Sequence, residues 1–218
     1  MNTIKHLDFF DPNKITNPIH IIGVGAIGSY IALFLSKLGI KTIHIYDFDT
    51  VDEHNITNQV YDTKDLNKEK VEAISEKMLK NNPDMIVVKH GKYEKQPLYG
   101  YVFLAVDSIE TRRNIAENNR YNNQIKIVID SRIGLETGQV LAINWHNEKE
   151  IENYIQLCSF NDKETDAKVT ACGVQLSVAP SVLITVSYAI SQLINFVNNE
   201  PTKQLINFNA FNFKTVAM

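Results

Sequence analysis

Short runs rich in isoleucine and valine alternate along this chain with longer stretches in which apolar residues recur every three to four positions. The first pattern belongs to buried strands and the second to amphipathic helices. His20 to Val24 reads as an apolar strand, and Ala26 to Leu38 as a helix that Gly39 stops. Lys41 to Tyr46 is a second strand. Lys68 to Asn81 is an amphipathic helix closed by Asn82-Pro83. Met85 to Lys89 and Tyr101 to Ala105 are further strands, Ile109 to Asn119 a helix, and Ile125 to Ile129 a fifth strand. Alternation of this kind predicts an α/β, Rossmann-like fold, with a mainly parallel sheet and helices on both faces.

The pattern changes after Arg132. Gly138 to Trp145 reads as a strand with no crossover helix before it, and Leu205 to Lys214 alternates like an edge strand. A C-terminal antiparallel extension is therefore expected. Between the two, Leu176 to Val197 carries no charge and is long enough to span a bilayer. It also contains Pro180, Thr185, Gln192, Asn195 and several serines, and reads as a core or interface helix beginning near Pro180 rather than a membrane span. No repeat or low-complexity linker interrupts the sequence, so residues 1–218 are expected to form one domain.

Composition narrows the classes. An apolar share of 44% in 218 residues is enough for a substantial core. A net charge of −3 counts against general nucleic-acid binding and against a polybasic membrane surface. Cys158 and Cys172 make no disulfide framework and no CxxC pair, so no zinc is expected, and a reducing cytoplasm is the simplest location.

The chemistry is concentrated between Pro18 and Lys70. Gly23-Val24-Gly25-Ala26-Ile27-Gly28 fits GxGxxG between a strand and a helix. Gly23 permits the tight turn, Gly25 a close approach of phosphate, and Gly28 close helix–strand packing. The helix N-terminus adds free N–H groups and a positive dipole end. Asp47, at the end of the next strand, stands where a ribose-binding carboxylate is expected. An NAD enzyme would carry the same turn and the same aspartate. No GxxxxGK[ST] loop is present, which counts against a P-loop nucleotidase.

The residues that follow are more specific: Asp47-Phe48-Asp49-Thr50-Val51, then His54-Asn55-Ile56-Thr57-Asn58-Gln59, then Lys70, and later Asp107-Ser108 with Arg112 one helical turn beyond. In order and spacing this set resembles the ThiF/MoeB/HesA family, which includes the nucleotide-binding half of ubiquitin-activating enzymes. The resemblance runs from about Pro18 to Val197 and implies an ATP-dependent adenylyltransferase. Such an enzyme joins a carboxylate to the α-phosphorus of ATP, giving an acyl-adenylate and pyrophosphate. It implies that Gly23, Gly25, Ala26 and Gly28 hold the nucleotide, that Asp47 contacts the ribose, and that Asn55 and Lys70 lie on the triphosphate. Asn58 and Gln59 fall in the same motif. Asp107 would hold Mg²⁺, with Ser108 where the family has Asn. The partner implied is a ubiquitin-like or sulfur-carrier protein ending in glycine, with a separate conjugating enzyme as a further partner. A homodimer through the long apolar helix is also implied.

Other positions keep two readings. Asp49 either caps its turn or binds ligand, and Arg112 either meets the nucleotide or pairs with Glu110 or Asp107. Cys172 aligns with a cysteine that forms a thioester in some family members, and is otherwise a buried, inert thiol. Asn58 stands where the family carries Arg in NxxRQ, and Lys68, Arg112 and Arg132 are nearby cations that could compensate. Two alternatives follow: an NAD(P)-dependent oxidoreductase, and a nucleotide-binding module with weakened catalysis.

Overall fold

The computed structural model describes residues 3–159 and 177–218. Its eight strands form one sheet. They are β1 Ile19–Ile22, β2 Thr42–Tyr46, β3 Ile86–His90, β4 Gly100–Leu104, β5 Ile125–Ile133, β6 Thr137–Asn144, β7 Leu205–Asn209 and β8 Lys214–Ala217. The spatial order is β3-β2-β1-β4-β5-β6-β7-β8. Strands β1 to β5 are parallel, whereas β5 to β8 pair antiparallel. The expected α/β architecture with an antiparallel extension is therefore present.

Two layers of helix follow from the two-residue period of the strands. On one face Ile19, Ile21, Ile43, Ile45, Phe103 and Ile129 pack against α1 (Ala26–Lys37), α2 (Lys70–Asn81) and α5 (Ala179–Val197). On the other, Ile22, Val102, Leu104, Val128 and Ile143 meet α3 (Ile109–Asn118) and α4 (Glu148–Leu157). Helix α5 begins with Pro180 in its first turn, where no intrahelical donor is lost. It buries Val182, Val186, Ala189 and Leu193. Its polar residues on that side are satisfied: Ser181 Oγ donates to Leu135 O at 2.9 Å and Thr185 Oγ1 to Ser181 O at 2.8 Å. Its length and apolarity thus serve sheet packing.

Three elements differ from the sequence expectation. Strand β5 runs on to Ile133 instead of stopping at Ile129, and so takes Asp130 and Arg132 into the sheet. The tail is a hairpin: β7 turns through Phe213, at φ +59°, into β8. Helix α4 was not anticipated. It is capped by Asn147, whose side chain accepts from Lys149 N and Glu150 N, and it buries Ile151 and Tyr154. The polar run at its start hid a short amphipathic period.

Near β3 the second face is covered by aromatic rings rather than by a helix among the described residues. His20, His44 and His90 lie on neighbouring strands, with His20 and His44 in direct register. Tyr46 stacks on His90 at 4.2 Å, and Tyr99 lies edge-on to His20 at 5.1 Å. His20 is fully buried and shares a 3.0 Å hydrogen bond with the Tyr46 hydroxyl. Burial first, then the neighbouring His44 and His90, pulls its pKa down to about 3. The folded state therefore prefers the neutral ring. That contribution is complete above the unfolded value near 6.5 and is lost as pH falls toward the folded value. Acidification to pH 5 is expected to remove about 2 kcal/mol through His20 alone. Urea unfolding at pH 7.5 and pH 5 measures this, and His20→Phe should flatten the difference; an unchanged difference would refute the assignment.

Candidate active site

The parallel register aligns the strand ends that carry the motif residues. Ile22, at the end of β1, lies opposite Tyr46 of β2 on one side and Leu104 of β4 on the other, and Leu104 faces Asp130 of β5. Asp47, Gly23, Asp107 and Arg132 therefore follow one another in that order along the carboxyl edge of the sheet, where open α/β folds bind ligands.

The three motif glycines have different causes. Gly23 has φ +90°, and a Cβ there would meet Ala105 O at 2.7 Å. A Cβ on Gly28 would lie 1.9 Å from Gly23 O, so the first turn of α1 sits directly on the end of β1. Protein packing alone demands both. Around Gly25 nothing lies within 4 Å of the position a Cβ would take. Gly25 is also the N-cap of α1 and makes no side-chain cap, with Ala26 following as the first helical residue. Open space over a helix N-terminus is what an approaching phosphate needs.

Asp47 secures this turn. One carboxylate oxygen accepts from Val24 N at 2.8 Å and the other from Asp49 N at 2.9 Å. Burial raises its pKa, while the two amides and Lys70 act against that shift. Tyr61, missed in the sequence reading, closes the same knot: its hydroxyl donates to Val24 O at 2.7 Å and to Lys70 O at 3.3 Å. A buried tyrosine just after the HNxxNQ stretch was the available signal.

Lys70 is the first residue of α2 and is buried. Its ammonium lies 2.8 Å from the exposed carboxylate of Asp49, and its amide donates to Asp49 O at 2.9 Å. Asp49 thus both shapes the loop and holds the lysine. Asn55 is buried in a 3₁₀ turn (Glu53–Asn55), where its side chain accepts from Asp52 N at 3.0 Å. Asn58 donates to the hydroxyl of Ser177, just before α5. Gln59 keeps a buried Oε1 with no hydrogen-bond partner among the described residues. Asp107 is exposed in the loop between β4 and α3, and Ser108 caps α3 by accepting from Thr111 N at 3.1 Å. Cys172 lies outside the described residues.

Arg112 does not reach this edge as a free cation. It is buried, paired with the carboxylate of Asp130, and its guanidinium donates to the carbonyls of Leu104, Val106 and Ser131. Burial pulls its pKa down to about 10, so it remains charged at neutral pH. Of the pairings considered from sequence, neither Glu110 nor Asp107 is its partner in this ion pair. Lys68 is likewise engaged, with Glu76 at 2.7 Å.

Residues 14–218 match the family model described as the ThiF family. The chain belongs to the ThiF family. It is 26% identical over 153 residues to the molybdopterin-synthase adenylyltransferase of Haemophilus influenzae, covering 65% of this chain and 61% of that protein. Ubiquitin-like modifier-activating enzyme 5 of Caenorhabditis elegans is 31% identical over 72 residues, or 33% of this chain and 17% of its own length. Among solved structures, E. coli MccB with MccA-N7isoASN superposes with a TM-score of 0.76 at 18% identity, covering 95% of this chain and 66% of that one. This ThiF-family chain therefore spans less than two thirds of each of these proteins, and the structural likeness establishes the shared fold.

The glycine geometry separates binding from folding. Gly25→Ala is expected to leave the melting temperature within a few degrees and to weaken ATP binding at least tenfold. Gly28→Ala is expected to lower stability by several kcal/mol through the clash with Gly23 O. Thermal unfolding and ATP titration of both variants measure the contrast.

Proposed function

We propose that this chain activates a carboxylate by ATP-dependent adenylation. The observation that carries the reading is the open space at Gly25 over the α1 N-terminus, with Lys70 and Asp107 set along the same sheet edge. The phosphates of ATP fit the first turn of α1, where N–H groups without intrahelical partners point outward. Lys70 is a compact charge that can exchange Asp49 for a phosphate oxygen as the nucleotide arrives. Asp47, already anchored by two amides, presents a fixed carboxylate edge to a ribose.

Asp107 fits a Mg²⁺ ion that keeps waters and shares phosphate oxygens, since such an ion needs only one or two carboxylates from the protein. When bound, the ion would neutralise charge on the departing pyrophosphate. A substrate carboxylate oxygen attacks the α-phosphorus, the bond to the bridging oxygen of the β-phosphate breaks, and pyrophosphate leaves with that electron pair. The nucleophile is already an anion, so no general base is required.

The substrate we favour is the C-terminal glycine of a ubiquitin-like or sulfur-carrier protein. The reading is supported by relatives named as a molybdopterin-synthase adenylyltransferase and as ubiquitin-like modifier-activating enzymes. A homodimer through α5 and a separate conjugating enzyme that accepts the acyl group belong to the same proposal, as does a cytoplasmic location. Asn58, hydrogen-bonded to Ser177 and uncharged, is what favours the second reading, a nucleotide-binding module with weak catalysis.

Pyrophosphate exchange with the carboxylate partner tests the proposal. Lys70→Ala and Asp107→Ala are each expected to reduce exchange by about 10²-fold or more. Normal exchange in either variant would remove that residue from the mechanism. Tight NAD(H) binding without Mg·ATP binding would overturn the reading as a whole, and ATP binding without exchange would favour the module.

A further inference from the structure

Arg132 is the cation at the carboxyl edge that the described contacts present rather than bury. It lies beyond Asp130 on β5, next to β4, whose following loop carries Asp107. Both Nε and Nη2 donate to the same Asp130 oxygen, at 2.9 and 2.7 Å. Nη2 also lies 3.1 Å from Cys158 Sγ. The side chain still keeps 19% of its surface exposed, against 4% for Arg112.

The group that holds Arg132 is unusually well fixed. Asp130 is fully buried, and the oxygen that takes Arg132 also accepts from the Tyr154 hydroxyl at 2.9 Å. Its other oxygen pairs with Arg112. One carboxylate therefore serves two guanidiniums, leaving the cluster with an excess positive charge whose outward member is Arg132. A single nitrogen of Arg112 bonds both the Val106 and the Ser131 carbonyls. Those carbonyls immediately precede Asp107 and Arg132, so one buried guanidinium ties the two positions side by side.

We infer that Arg132 is the docking residue for the carboxylate that is to be adenylated, with Asp130 as its positioning residue. The inference rests on the adenylation reading and adds the substrate-binding group to it. Along the sheet edge the order is glycine turn, Asp107, Arg132. The nucleotide side is occupied first, the metal carboxylate second, and the next place outward belongs to the nucleophile. Two anions, a carboxylate and a triphosphate, must meet there, and a guanidinium fixed through Nε and Nη2 offsets their repulsion while Nη1, not engaged in the described contacts, is left to donate to the carboxylate. The other cations weighed for this role are committed elsewhere: Lys68 to Glu76, and Arg112 to backbone carbonyls and Asp130.

The experiment uses the whole chain with Mg·ATP and a synthetic peptide ending in Gly-Gly, as free acid and as C-terminal amide. Peptide binding in the presence of a non-hydrolysable ATP analogue and the KM for the acid in pyrophosphate exchange are measured. The wild-type chain should prefer the acid at least tenfold. Arg132→Ala should lose that preference with ATP affinity changed less than twofold, which also certifies its fold. Arg132→Lys should recover part of it, and Asp130→Asn should raise KM for the acid more than it lowers kcat. No acid preference in the wild type, its retention in Arg132→Ala, or a tenfold fall in ATP affinity would each overturn the inference. The last outcome would place the charge on the triphosphate instead. Failure of the wild type to bind ATP would sink the adenylation reading itself, whereas ATP binding with an unaltered acid preference in Arg132→Ala would sink only the role of Arg132.

Discussion

The contact on which the rest of this site depends is the seating of α1 on the end of β1. Gly28 meets Gly23 with no room for a methyl group between them. That closeness holds the α1 N-terminus over the sheet edge, and Asp47 locks it by accepting from Val24 N. The same carboxylate shapes the next loop through Asp49 N, and Tyr61 ties the turn to the start of α2. A loosened turn would therefore displace the α1 N-terminus, the Asp47 carboxylate and Lys70 together.

Charge is handled differently on the two halves of the edge. On the β2 side, Lys70 is buried but paired with an exposed aspartate, an arrangement that water screens. On the β5 side, Asp130 is buried between an ion pair with Arg112 and a hydrogen bond from the Tyr154 hydroxyl. Breaking such a buried pair leaves an unpaired charge in a low-dielectric interior, which costs far more than losing a surface pair. The first half keeps its ion pair at the water-screened surface and the second keeps its own in the interior.

The helical layers explain why the edge is accessible. Helices α1, α2 and α5 cover one face and α3 and α4 the other, while the strand ends between them remain free for loops. The gap beside β3 is filled by His20, His44, His90 and tyrosine rings rather than by a helix. That choice makes the packing of this end of the sheet sensitive to proton concentration, because these rings pack well only while neutral.

Most of the architecture was legible from sequence because strands buried on both faces read as apolar runs, and helices with one buried stripe read as a three-to-four-residue period. The places of the glycine turn, Asp47, Lys70 and Asp107 at strand ends and helix starts were legible because they are set by residue type and spacing within local segments. Helix α4 and the β7–β8 hairpin escaped, since a short polar-capped helix and a tight turn leave weak periodic signals. The fate of the long-range charges was not legible at all. Arg112 and Arg132 look alike in sequence, and only the packing of β5 against β4 and α4 buries one on backbone carbonyls and leaves the other facing out. Sequence determines which charges exist; the low-dielectric interior, formed by contacts distant along the chain, decides which of them are fully enclosed and which keep part of their surface in water.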